Sequence, residues 1–215
     1  MPFVRNRPYV DTKYKSCHYM VYMDTQTLIK IRKKSVLTKE EMLSSGVTLY
    51  RLKEWIKSGH VKRVSHGIYR LLLEYSDDEF HDERFREATA IAGSKSAVCL
   101  LSALEYYHLT DLITESVWVM VPHNKRVQSE KLTILRTRNP HWTIGILRQR
   151  GFKITSLERT LIDCLIQQRK IARTVAIEAI KMALKDRKTD LNVLYETAKK
   201  LGVERRLSHI LEVLM

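Results

Sequence analysis

The alternation of apolar and polar residues is clearest in the first third of the chain, where it predicts helix, helix, tight turn, helix and a two-stranded ribbon. Leu49, Leu52 and Ile56 recur at helical spacing. With Trp55 beside them, they predict a stripe of the third helix that faces a core. The ribbon is indicated by alternating apolar residues and a turn glycine, namely Val61, Val64, Ile68, Leu71 and Gly67. This order of elements is typical of a winged helix-turn-helix, which we predict over residues 25–75.

Capping signals mark where the predicted helices of this module begin and end. Thr38 and Glu41 form a T-x-x-E capping box, which predicts a short helix ending near residue 45. Gly46 supplies the positive φ that ends a helix without strain. Thr48 then provides an N-cap for the third helix. The last two helices are therefore predicted to be joined by a tight turn.

The rest of the chain, residues 76–215, predicts a second α+β domain with a small sheet and a helical C-terminus. Its strands are predicted at 116–121, 131–137, 144–148 and 151–155. Its helices are predicted at 77–92, 96–109 and 157–166, and from residue 172 to the end. Helix caps are assigned to Asp77 or Asp78, to Ser94 or Ser96, to Asp190, and to Thr155 with Glu158 as a second capping box. The predicted fold class is therefore α+β.

The net charge is high and unevenly distributed. The chain carries +14, and residues 1–75 hold fifteen Lys and Arg residues against six Asp and Glu residues. Residues 76–215 hold 23 Lys and Arg residues against 18 acidic ones. A basic surplus concentrated on one module predicts a polyanionic partner, and the helix-turn-helix pattern favours double-stranded DNA. The plainer alternative is a soluble protein with a high isoelectric point.

The predicted DNA contacts lie on the third helix and on the ribbon. Thr48 and Tyr50, near the N-terminus of that helix, are expected to face base edges, and the ribbon tip is expected to touch phosphates or the minor groove. The full candidate set is Lys39, Thr48, Tyr50, Arg51, Lys53, Lys57, Lys62, Arg63, Ser65 and His66. The alternatives are a solvated basic helix face and an ordinary hairpin with charged edges.

Residues 1–24 interleave basic side chains with tyrosines. This composition fits a basic arm that reaches into a DNA groove, but a loose tail would look much the same and is the favoured interpretation. Three widely spaced cysteines, Cys17, Cys99 and Cys164, indicate a reducing cytosol, and the last two are predicted to be core residues. With no 18-residue apolar run and no signal-peptide pattern, a cytoplasmic protein without membrane contact is predicted.

Four segments follow one another along the chain: LYRLKEWIKSGHVKRVSHGIYRL, SAVCLLSALEYYHLT, VWVMVP and GFKITSLERTLIDCL. In this order they resemble the AbiEi family of antitoxins, transcriptional regulators of bacterial type IV toxin–antitoxin and abortive-infection operons. The resemblance covers roughly residues 25–170. It implies a winged domain that represses its own operon promoter and a second domain that carries the antitoxin activity. It also implies a nucleotidyltransferase-like toxin as functional partner, with no direct contact required.

No pattern for catalysis, a cofactor or a metal site is visible in the sequence. A Mg²⁺-dependent nuclease needs clustered carboxylates, yet the strands predicted at 116–121 and 131–137 hold no acidic residue. Arg159 and Asp163 fit an i,i+4 ion pair within a helix. The chain is therefore predicted not to be an enzyme and to need no cofactor. The alternative function is a winged-helix transcription factor with a ligand- or partner-sensing second domain; a nuclease is least favoured, and the oligomeric state is left open.

Overall fold

The computed structural model describes residue 31, residues 34–72 and residues 77–212. The predicted arm at 1–24 and most of the first predicted helix lie outside the described residues. Helices and strands alternate along the described chain and build two sheets, which confirms the α+β class. None of the helices in the described part is long and apolar enough to cross a membrane.

The described residues up to 72, here called the N-terminal module, form two helices and a three-stranded sheet. In chain order the elements are β1 (Val36–Thr38), α1 (Lys39–Ser44), α2 (Leu49–Lys57), β2 (Val61–Ser65) and β3 (Ile68–Leu71). The strands are antiparallel in the order β1-β3-β2. The ribbon predicted from the sequence is thus β2 and β3, while β1 is an addition. Because β1 pairs with β3 and runs directly into α1, it fixes that helix beside the ribbon.

Residues 77–212, here called the C-terminal unit, combine a five-stranded sheet with helices. The elements are α3 (Asp77–Ala92), β4 (Ala97–Val98), α4 (Leu100–Tyr106), β5 (Val117–Pro122), β6 (Leu132–Thr137), β7 (Ile146–Gln149), β8 (Phe152–Thr155), α5 (Leu157–Ile166), α6 (Arg173–Lys185), α7 (Leu191–Lys200) and α8 (Glu204–Glu212). The sheet order is β6-β5-β4-β8-β7, with β5–β6 and β4–β8 parallel. All four predicted strands are confirmed, and β4 is an addition.

Two apolar clusters cover the two faces of this sheet. Val117, Val119 and Val121 of β5 belong to the cluster that includes Phe85 of α3. Met120, between them in sequence, belongs to the cluster built from α4 to α8. Successive side chains of a strand point to opposite faces, so β5 is buried on both sides. This explains why its sequence is a continuous apolar run.

The helix predicted at 96–109 is present, but its predicted start at Ser94 or Ser96 is wrong. Ala97 and Val98 form β4, which pairs with β5 and β8, and α4 begins only after Cys99. Ser96 is buried, and its hydroxyl donates to the Gly93 carbonyl at 2.6 Å, so it closes the turn after α3 and does not cap a helix. The apolar run has a helical pattern, but its first residues form a strand because they pair with strands that are distant in the chain.

The second predicted capping box is also wrong, by one residue. Thr155 is still part of β8, and its hydroxyl is buried, bonded to the Thr160 hydroxyl at 2.7 Å. Ser156 caps α5 instead, accepting from the Arg159 backbone N–H at 3.2 Å. The helix itself and the ion pair between Arg159 and Asp163, at 2.7 Å, are confirmed. Asp190 caps α7 as predicted.

Helix α3 packs against both parts of the molecule. Its Phe85 lies in the core of the C-terminal unit, while its polar side chains contact the N-terminal module. The Arg70 guanidinium of β3 lies 2.8 Å from the Glu87 carboxylate, and the Arg86 guanidinium donates to the Ser35 hydroxyl at 3.1 Å. The module is therefore held against the C-terminal unit through α3.

Candidate nucleic-acid interface

The turn between α1 and α2 is built by local hydrogen bonds and one buried side chain. Both bonds of the predicted capping box are present: Glu41 N–H to the Thr38 hydroxyl at 3.2 Å, and Thr38 N–H to the Glu41 carboxylate at 2.9 Å. Gly46 has φ 91°, which confirms its predicted role in ending α1. Val47 is buried in the same cluster as Met42. The angle between the two helices is therefore fixed by the module's own core.

The inward stripe of α2 differs from the predicted one. Leu52 and Trp55 are buried, with 3% and 6% of their surface exposed. Leu49 and Ile56, predicted to face inward, are exposed at 48% and 38%. At about 100° per residue, Leu49 and Ile56 lie together on the flank of a helix whose centre of contact is between Leu52 and Trp55. Spacing alone identified the helix, but the rotation of its buried face depends on what packs against it.

The face of α2 opposite the core presents an aromatic and two basic side chains. Tyr50, Lys53 and Lys57 follow one another at i, i+3 and i+7 and are all exposed, Tyr50 at 73%. Glu54 is exposed on the same side and is the one opposing charge on this helix. Tyr50 lies in the first turn of the helix, and Lys57 is its last residue. The arrangement presents an apolar ring at one end and positive charge along the rest.

Two predicted contact residues of α2 are less available than the sequence suggested. The Thr48 hydroxyl oxygen accepts the Arg51 backbone N–H at 3.3 Å, so its acceptor function is used in capping. Arg51 is half-buried and lies to one side of the face that carries Tyr50. The predicted grouping of Arg51 with the outward residues is therefore corrected: it lies at the edge of that face.

The tip of the β2–β3 hairpin is organised around Arg63. Its guanidinium lies 3.1 Å from the His66 Nδ1 atom and donates to the Ser65 carbonyl at 3.4 Å. Because arginine has no acceptor, the His66 Nδ1 atom is the acceptor in this contact. The register shifts between Arg63 and Ser65, leaving Val64 as an extra residue that twists the ribbon. Ser65 is half-buried, whereas Lys62, Arg63 and His66 are exposed.

Lys39 connects the hairpin tip to α1. Its backbone N–H donates to the Gly67 carbonyl at 2.7 Å, and its side chain is exposed. Gly67 has φ 70° in the turn, a conformation that glycine adopts without strain. This bond joins the first residue of α1 to the turn of the ribbon. Lys39, Arg63 and His66 form a compact exposed group at this end of the module.

Most basic side chains of this surface have no carboxylate partner among the described residues. Within the described residues, Lys39, Lys53, Lys57 and Lys62 make no ion pair with a carboxylate. Lys34, which does make one, holds the Glu41 carboxylate at 2.7 Å. Burial alone would raise the pKa of Glu41, but Lys34 and the Thr38 N–H outweigh it and hold that pKa below its ordinary value. Glu41 is thus kept ionised for capping.

Sequence reasoning missed a second set of basic residues, at the junction of the module with the C-terminal unit. Lys34 and Arg86 line this junction together with Arg148 and Lys153 of the β7–β8 hairpin. No local pattern could indicate it, because the four residues come from three distant parts of the chain. The isolated Gly151, with φ 95° between β7 and β8, was the one sequence feature marking a tight turn there.

No protein-family model matches the chain, and no curated protein matches it in sequence. The resemblance in sequence to the AbiEi family stays a prediction.

Proposed function

We propose that the N-terminal module is a winged helix-turn-helix that binds double-stranded DNA, and that the chain is an antitoxin that represses its own operon. The observation that carries the DNA-binding part is the outward face of α2, where Tyr50, Lys53 and Lys57 are exposed and neither lysine pairs with a carboxylate in the described part of the chain. The antitoxin part is supported by the resemblance in sequence. Both parts are testable with the full-length protein.

The dimensions of α2 suit a major groove. An α-helix with its side chains is about 10–12 Å across, which matches the roughly 12 Å width of that groove. A recognition helix contacts bases with its N-terminal residues, which assigns Tyr50 to base edges. Lys53 and Lys57 then reach phosphates on the flanking backbone. The negative charge of Glu54 repels the phosphates and opposes the attraction by Lys53 and Lys57. The affinity is therefore a balance of attraction and local repulsion.

The hairpin tip supplies the second contact. Lys62, Arg63 and His66 are exposed there, and Lys39 lies beside the turn. Because Arg63 forms no ion pair with a carboxylate within the described residues, its charge remains available to a phosphate. In this proposal the wing contacts the backbone next to the groove that α2 enters.

The first test measures how affinity for the promoter duplex depends on salt. Each lost phosphate contact lowers the slope of log affinity against log salt by about 0.9. Lys53→Gln with Lys57→Gln, and separately Lys62→Gln with Arg63→Gln, should each weaken binding to any duplex and lower the slope by roughly two. The matched control is Lys181→Gln with Lys185→Gln, also an exposed lysine pair four residues apart, on α6 of the C-terminal unit. Equal slopes in all three proteins would contradict the proposed interface.

Two further variants separate base reading from charge. Tyr50→Ala should relax sequence preference, by about 1–3 kcal/mol for a lost base contact, while leaving the salt slope unchanged. Glu54→Gln should tighten binding to all duplexes alike, because it removes a like charge near the phosphates. Competition between specific and random duplexes distinguishes the two effects.

The antitoxin role is tested by co-expression with a nucleotidyltransferase-like toxin encoded beside the gene. The full-length protein should restore growth and reduce expression from the operon promoter. The variant Lys53→Gln with Lys57→Gln should lose repression but keep rescue, because the resemblance assigns the antitoxin activity to the second domain. Failure of the full-length protein to restore growth would remove the antitoxin assignment and leave DNA binding standing.

A winged-helix regulator that senses a ligand is the second candidate. One observation favours it: a cleft of about 520 Å³ lies between the N-terminal module and the C-terminal unit. A ligand held there would contact both parts of the molecule at once. The same co-expression experiment separates this candidate from the antitoxin, since a generic regulator would not restore growth.

A further inference from the structure

The cleft between the two parts of the molecule has basic walls. One wall comes from the start of the N-terminal module, including Lys34 and Ser35, and the other from the end of α3 and from the β7–β8 hairpin. Arg86 crosses it, donating to the Arg150 carbonyl at 2.6 Å and to the Ser35 hydroxyl at 3.1 Å. Lys34 is paired with Glu41. Arg86 therefore joins the two walls, while the charge of Lys34 is neutralised within the N-terminal module.

Two other cations of the cleft have unused charge. Arg148 is exposed, and within the described residues neither Arg148 nor Lys153 pairs with a carboxylate. The Lys153 ammonium group donates to the Ser94 carbonyl at 2.7 Å, which fixes its position and leaves two of its three N–H donors. Its charge is thus aimed at the turn that follows α3.

A third cation, Lys125, approaches the same turn through Gly93. A Cβ atom placed on Gly93 would lie only 3.0 Å from the Lys125 Nζ atom. Gly93 has φ 80°, so glycine is needed here both for the backbone and for the approach of the ammonium group. Burial, together with the charges of Lys95 and Lys153, lowers the pKa of Lys125. The three lysines Lys95, Lys125 and Lys153 therefore repel one another around this turn, and within the described residues none of them forms an ion pair with a carboxylate that would also relieve this repulsion. Arg148 lies opposite Lys153 in the register of β7 and β8, which adds a further positive charge beside them.

We infer that Lys125, Lys153 and Arg148 form a phosphate-binding site at the mouth of this cleft. A convergence of like charges raises the free energy of the empty protein, and a multiply charged anion relieves it. Phosphate groups suit the site because each offers several acceptor oxygens to ammonium and guanidinium donors at once. A single carboxylate would neutralise less of the charge. The phosphate is carried either by a free phosphorylated small molecule or by the backbone of bound DNA.

Inorganic pyrophosphate is the direct probe of this site, measured by calorimetry on the full-length protein. Lys125→Gln with Lys153→Gln should weaken its binding roughly tenfold or more, because two charge-assisted hydrogen bonds are lost. Arg148→Gln, on an exposed side chain whose loss should not affect folding, should weaken it in the same direction. Lys181→Gln with Lys185→Gln, which removes equal charge elsewhere, should leave it unchanged. Melting temperatures establish that each variant is folded.

The source of the phosphate is decided by adding promoter duplex. If the duplex displaces pyrophosphate and the cleft variants lower the salt slope of DNA binding, the site holds the DNA backbone. If pyrophosphate and duplex bind together, the ligand is a free phosphorylated molecule. The inference is overturned if the variants bind pyrophosphate like the wild type, or if neither pyrophosphate binding nor a change in DNA slope is observed. These results do not depend on α2, whose own variants test the proposed DNA interface separately.

Discussion

The two parts of the molecule use their charged side chains differently. In the N-terminal module, exposed lysines such as Lys53, Lys57 and Lys62 have no carboxylate partner within the described residues. In the C-terminal unit, two arginines are paired with carboxylates: Arg84 lies 2.8 Å from Glu105, and Arg159 lies 2.7 Å from Asp163. Both parts are basic, so net charge alone does not tell them apart. A cation without a carboxylate partner is available to a ligand, whereas a buried, paired cation supports the fold.

This difference predicts opposite consequences for charge removal. An exposed, unpaired lysine contributes little to folding, so its loss should affect binding and salt dependence. A buried, paired arginine leaves an uncompensated charge behind, so its loss should affect stability. The largest effect on stability is expected for the pair of Arg159 and Asp163.

Arg159→Met should destabilise the protein by about 3–5 kcal/mol, because it leaves the Asp163 carboxylate buried without its partner. The Arg159 side chain is only 3% exposed and also donates to the Ile144 carbonyl at 2.7 Å. Denaturant unfolding gives the loss directly. Burial raises the pKa of Asp163, and Arg159 opposes that rise. Because the folded pKa of Asp163 is raised, the contribution of this carboxyl to stability is largest at acid pH and is lost as pH rises. The loss of stability caused by Arg159→Met should therefore be larger at neutral pH.

The double variant Arg159→Met with Asp163→Leu tests the cause. Removing both charges should recover a large part of the lost stability, since no buried charge remains. Asp186→Asn is the matched control, because Asp186 pairs with Lys188 at the surface at 3.7 Å, and its effect should stay below about 1 kcal/mol. A double variant as unstable as the single one would show that packing, and not charge, explains the loss.

The rotation of α2 gives the second prediction. Leu52→Ala should cost about 2–5 kcal/mol, because Leu52 is fully enclosed in the module's core. Leu49→Ala, three residues away and about half exposed, should cost far less. Unfolding of the two variants, followed by the fluorescence of Trp55 in the same core, measures the difference. Equal losses would restore the inward stripe predicted from spacing and reject the observed rotation.

Features decided within a few residues could be predicted from the sequence. The capping box of Thr38 and Glu41, the Thr48 cap and the Gly46 turn depend on side chains that reach only three or four positions. Apolar runs long enough to define a strand, such as β5, were also found. The outward position of Tyr50 followed from the same helical pattern.

The predictions that were wrong concern residues whose partners are distant in the chain. Ala97 and Val98 become a strand because β5 and β8 pair with them, which no local pattern shows. Thr155 stays in β8 because its hydroxyl is bonded to Val98 and Thr160 in the core, and this moves the cap of α5 by one residue. The meeting of Lys125 with Lys153 is likewise a product of the tertiary fold.

The smallest expected effect concerns Glu41, whose charge serves the fold within the binding module. Glu41→Ala should reduce the stability of α1 by about 1 kcal/mol at neutral pH, because it removes the capping acceptor for the Thr38 N–H and the partner of Lys34. Glu41→Gln is the matched variant: it keeps the cap and loses only the charge, so it should cost a few tenths of that.

Since the folded pKa of Glu41 lies below its ordinary value of 4.5, the carboxylate stabilises the fold above that pH, and this contribution is lost as pH falls through the folded pKa. The gap between wild type and Glu41→Ala should therefore narrow in acid. Amide hydrogen exchange in α1 measures it, and a gap that stayed constant with pH would show that the charge of Glu41 has no part in capping.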